Sequence, residues 1–112
     1  MKSKVMLLLC SLAVLGATPA WSVYDTNLLG VVTEVLAYTD HNIILVRLDN
    51  QPSSHPTCNP SYFALEHTAD TTRVDRIYAR LLLALSSGQP TKIGYDSQGN
   101  CANGWIRMHR VG

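Results

Sequence analysis

Thr71–Tyr95 reads TTRVDRIYARLLLALSSGQPTKIGY, and it divides into an amphipathic helix, a stop and a strand. Val74, Ile77, Tyr78, Leu81, Leu82 and Leu85 recur at the helical period and predict one apolar stripe. Arg73, Arg76 and Arg80 lie off that stripe. Thr72 with Asp75 three residues on reads as a capping box, and Asp70 and Asp75 set negative charge at the positive end of the helix dipole. At the other end Gly88 can adopt the left-handed conformation that closes a helix. Pro90 has no amide proton with which to continue it. Thr91, Ile93 and Tyr95 then alternate as a strand, and the apolar stripe needs a sheet to cover.

Working towards the N-terminus, the chain is short-stranded and β-branched. Ser61 to His67 reads as a strand, with Tyr62, Ala64 and Glu66 on one face and Phe63 and Leu65 on the other. Before it, Asn50 to Pro60 is a proline-rich surface loop carrying His55 and Cys58. Ile43 to Asp49 is a strand apolar on both faces. The turn residues Thr39, Asp40, His41 and Asn42 join it as an antiparallel hairpin to a first strand over Val31 to Tyr38. That first strand places Val31, Thr33, Val35 and Ala37 opposite Val32, Glu34, Leu36 and Tyr38, with Trp21 to Asn27 as a polar lead-in. Towards the C-terminus, Asp96 to Asn103 is a turn holding Cys101, and Trp105 to Val111 is the last strand.

Strand, strand, strand, helix, strand, strand is the element order of an OB-fold. The expectation is therefore a mainly β chain with one helix, a five-stranded Greek-key barrel plugged by that helix.

The chain has 112 residues, which is room for one domain. Lys2 and Lys4 ahead of an apolar run from Val5 to Ala17 lay out a signal peptide over residues 1–22, cleaved after Ala20 or Ser22. The domain then covers 23–112, with no membrane anchor after cleavage and a secreted or periplasmic location. Cys10 falls in the leader. Cys58 and Cys101 remain, and an even pair in an exported chain is most simply one disulfide. Without Lys2 and Lys4, seven basic residues face eight acidic ones, which does not favour a nucleic-acid partner.

His41, His55, His67 and His109 show no metal-binding spacing, and the first three sit at ordinary exposed positions, so neither a metal nor another cofactor is expected. No nucleophile elbow or paired-carboxylate motif supports an enzyme. The chemistry that remains is aromatic. Tyr38, Tyr62, Tyr95 and Trp105 can stack on sugar rings if they face outward, or fill the barrel if they do not. Arg107, with His109 and Arg110, makes the last strand locally basic.

With Gly30-Val31-Val32 opening the first strand, Cys58 ahead of the third, and Ser87-Gly88-Gln89-Pro90 leading from the helix into Lys92-Ile93-Gly94-Tyr95, the chain resembles the B subunits of subtilase-cytotoxin and pertussis-like toxins and related small exported bacterial proteins. The resemblance implies a non-catalytic OB-fold that binds a glycan or protein partner and assembles as a homo-oligomeric, five-membered ring. Asp25 matches an acidic position of those toxins. Leu29 stands where they carry a serine that contacts sialic acid, and Gly112 follows soon after the last strand where they continue further. Fold and class of role are carried over, and sialic-acid specificity is not. The alternative is a stand-alone monomeric periplasmic protein that binds no sugar.

Overall fold

The computed structural model describes residues 24–66 and 71–112; the expected leader and His67 lie outside them. Among the described residues the chain is mainly β, with one helix and two sheets. Its elements are β1 (Thr26–Gly30), β2 (Val32–Ala37), β3 (Ile43–Leu48), β4 (Asn59–Glu66), α1 (Thr71–Ser87), β5 (Thr91–Tyr95), β6 (Cys101–Ala102), β7 (Trp105–Arg107) and β8 (Arg110–Val111). One sheet has the order β1-β5-β8 and the other β2-β3-β4-β7-β6. All pairings are antiparallel except β4 with β7.

Neither sheet closes on itself, so the single closed five-stranded barrel expected from the sequence is replaced by two sheets. The reason lies at two breaks. Val31, where the first strand was expected to begin, instead separates β1 from β2; its amide donates to Asp49 Oδ1 (2.9 Å) while its carbonyl accepts from Asp49 N (2.9 Å). The expected last strand breaks after Arg107, where Met108 N donates to Ala64 O and His109 N to Gly94 O, both at 2.8 Å. At each break the backbone changes partners from one sheet to the other. The lead-in is also ordered earlier than its polarity implied, because Thr26–Gly30 pairs residue for residue with Thr91–Tyr95.

A β-bulge between Val32 and Glu34 corrects the facing of β2. One extra residue reverses the alternation. Val32 and Val35, expected on opposite faces, both join the main core, and Leu36 is left on the outer face.

The main core is built on Val46, Leu48, Phe63, Leu81, Ile93 and Ile106, each essentially inaccessible. From α1, Val74, Leu81 and Ala84 are buried, with Ile77 and Tyr78 packed beside them. Leu82 and Leu85, expected in the stripe, stay 41% and 37% exposed. The helix rests on β2 and β8, a support too narrow to cover so wide a stripe. Its first helical residue is Thr71, one ahead of the expected Thr72 cap, and Asp70 lies outside the described residues. The stop is as expected: Gly88 has φ +67° and its amide donates to Ala84 O (3.1 Å).

Cys58 and Cys101 form a disulfide with Cα atoms 5.5 Å apart. It ties the loop before β4 to β6. Half-buried His55, expected to be an ordinary exposed residue, pins the same loop. Its Nε2 bonds Asp96 O (2.8 Å), and its Nδ1 accepts from Cys58 N (2.9 Å) and Thr57 N (3.2 Å), a pattern that requires the neutral ring with its proton on Nε2.

Candidate functional site

The five-stranded sheet is apolar on both sides. On its outer side Ile43, Leu45, Ala64 and Ala102 are buried as a second small cluster, roofed by partly buried Leu36, Tyr62 and Trp105. Alternation delivers these residues: Tyr62, Ala64 and Glu66 share one face of β4, Ile43, Leu45 and Arg47 one face of β3, and Trp105 and Arg107 one face of β7. The aromatic rings meet edge to face, with centroids 5.6 Å apart and planes at 84°.

Charge surrounds this pair. Tyr62 Oη donates to Glu34 Oε2 (3.0 Å), and the Arg47 guanidinium lies 6.0 Å from the Tyr62 ring centroid. The bond to the Glu34 carboxylate, aided by desolvation, raises the Tyr62 pKa above the ordinary phenol value. Arg107 donates from Nη1 to Glu66 Oε2 (3.0 Å) and from Nη2 to Cys101 O (3.1 Å). The disulfide-linked strand therefore helps to set the Arg107–Glu66 pair.

Beside that pair a cavity of about 250 Å³ is lined by His41, Asn42, Ile43, Glu66 and Asn103. Its walls come from the 39–42 hairpin turn, the end of β4 and the turn between β6 and β7. Asn103 and Gly104 form that last turn with φ +51° and +89°, the paired left-handed geometry of a two-residue hairpin. Ile43 lines the cavity and also belongs to the apolar cluster, so the polar hollow and the aromatic platform are continuous. Amide and carboxylate groups at one end and ring faces at the other suit a ligand with hydroxyls and an apolar side.

Of the residues singled out from sequence, Tyr62, Trp105 and Arg107 come together here; Asp25, Tyr38 and Tyr95 do not. Tyr38, 46% exposed, faces a different hollow shared with Val74 and Tyr78 of the helix. Tyr95 packs on Phe63 (centroids 5.1 Å apart), and burial first, then the Asp25 charge, raises its pKa. Asp25 accepts from Ser97 N (2.8 Å), Ser97 Oγ (2.7 Å) and Thr26 Oγ1 (2.8 Å). Those Ser97 bonds, with Thr26, lower its pKa to about 2 and occupy its carboxylate in tying β1 to the 96–98 turn.

Glu34, Arg47, Glu66 and Asn103 were not singled out. The period-two pattern that places Glu66 with Tyr62 could have found one of them. Among the described residues no three His, Cys, Asp or Glu side chains gather as a metal set, and no helix is long and apolar enough to cross a membrane. Compared with protein-family models, curated proteins and solved structures, the chain matches none.

Proposed function

We propose that this chain is an exported, non-catalytic binding module of OB type whose outer sheet face takes a carbohydrate. The barrel reading is supported by the circuit of pairings. β2, β3, β4 and β7 are neighbours in turn, β7 runs on into β8, β8 pairs with β5, β5 with β1, and β1 runs on into β2. The two sheets then act as one barrel bent at Val31 and at Met108–His109. In that frame the site lies on the face of the second and third barrel strands, between the loops where OB-folds hold oligonucleotides and oligosaccharides.

The observation that carries the reading is the continuity of the Tyr62–Trp105 platform with the cavity beside Glu66 and Asn103. A sugar ring can stack its apolar face on an aromatic while its hydroxyls bond carboxylate and amide groups. The disulfide supports export. A homo-oligomeric ring belongs to the same reading, since linked sites raise avidity without any new contact.

The test is a glycan array probed with the oxidised protein, followed by fluorescence titration. Trp105 is, apart from Trp21, the chain's only tryptophan, so a ligand on the platform should change its emission. Trp105→Ala and Glu66→Gln should each weaken binding while the protein stays folded. Absence of binding to any glycan would favour the stand-alone structural role.

A further inference from the structure

The outer side of α1 carries two kinds of exposed side chain. Leu82, Leu83 and Leu85 stand 41%, 60% and 37% exposed in its C-terminal half. Exposed Arg73, Arg76 and Arg80 run along one flank at i, i+3 and i+7, against Asp75 as the helix's only acid. That flank is continuous with the strands beneath it. The Arg80 guanidinium lies beside Gly112, whose amide donates to Lys92 O (2.9 Å), and Lys92 and Arg110 are themselves exposed. Arg80 and Leu83 also share the wall of a hollow of about 310 Å³ with Ala84 and Pro90.

We infer that the outer face of α1 is a docking surface for an anionic phospholipid bilayer. Charge complementarity selects this occupant. A second copy packed helix to helix would bring two arginine rows together, with Asp75 the one acid within each helix, and like charges at close range oppose association. A soluble polyanion would satisfy the arginines and leave the leucines in water. A bilayer interface takes both, with leucines entering the headgroup boundary and guanidinium groups resting on lipid phosphates. The surface is separate from the Trp105 face, so each can be lost without the other.

The experiment is co-sedimentation of residues 23–112, oxidised, with vesicles of phosphatidylcholine alone or mixed with phosphatidylglycerol, at low and at high salt. Binding is expected to the anionic vesicles only, and to weaken as salt rises. Arg76→Glu with Arg80→Glu should lower it by roughly tenfold or more. Leu82→Ser with Leu83→Ser should lower it at unchanged net charge. All four positions are exposed, and an unchanged far-UV circular dichroism melt confirms folding. Equal sedimentation with both vesicle types, or with neither, overturns the inference. So does heparin binding as tight as vesicle binding and indifferent to the leucine changes, which would mark a soluble polyanion site instead.

Discussion

At the scale of single residues, the carboxylates of Asp25 and Glu34 accept specific hydrogen bonds, and these bonds shift the titrations of Asp25 and of Tyr62. Asp25 is held at about 2 against an ordinary 3.8 by Ser97 and Thr26. A depressed folded value means stability that is present above the unfolded value and lost as pH falls through the folded one. The melting temperature should therefore drop as pH is lowered from about 4 to about 2, and Asp25→Asn should make that drop shallower. An equal slope in the variant would show that Asp25 is not held by Ser97. Tyr62 is raised because its phenol donates to Glu34, and a donor bound to a carboxylate gives up its proton reluctantly. In Glu34→Ala, Tyr62 should ionise at lower pH than in the parent, as followed by ultraviolet or NMR titration.

Among the elements, the helix stop and the disulfide carry the clearest energetic consequences. Gly88 has φ +67° and open space around the position of a Cβ, so Gly88→Ala isolates the backbone cost without a clash. The change should destabilise by about 1 kcal/mol, measured by denaturant unfolding. The Cys58–Cys101 bond spans 43 residues. By the chain-entropy model such a cross-link stabilises by about 4 kcal/mol, a large share of what a small domain has. Reduction should lower the melting temperature markedly and disturb Trp105 emission, because β6 carries Cys101 and pairs with β7. The helix and its stop were legible from spacing and from Gly88 and Pro90. Exposure of Leu82 and Leu85 was not, since apolar spacing records which residues could be covered and not how much surface the neighbouring strands supply.

For the whole molecule, the outer sheet face and the helix face are two surfaces on opposite functional accounts, one proposed for a sugar and one for a bilayer. Light scattering of the oxidised chain is expected to give one discrete mass above the monomer. A monomer across a wide concentration range would remove the ring and leave a single-site module. The division into two sheets depends on the breaks at Val31 and Met108–His109, and neither is signalled by composition. Both arise because the chain must leave one sheet and enter the other while keeping its backbone groups bonded.

Local chemistry was enough to determine a mainly β chain with the helix, the β2–β3 hairpin, the helix stop and the cysteine pair, but not β1 or the division of the last strand, because period, turn residues and left-handed glycine act within a few positions of the chain. Tertiary structure alone decided which aromatics are neighbours. Trp105 met Tyr62, and Arg107 met Glu66, only through the parallel pairing of β4 with β7, a contact between segments 41 residues apart. Tyr95, on β5, packs against the core, and Tyr38, just past β2, lies on the helix side. Register between distant strands depends on the summed packing of both faces, and no single stretch of sequence contains that sum.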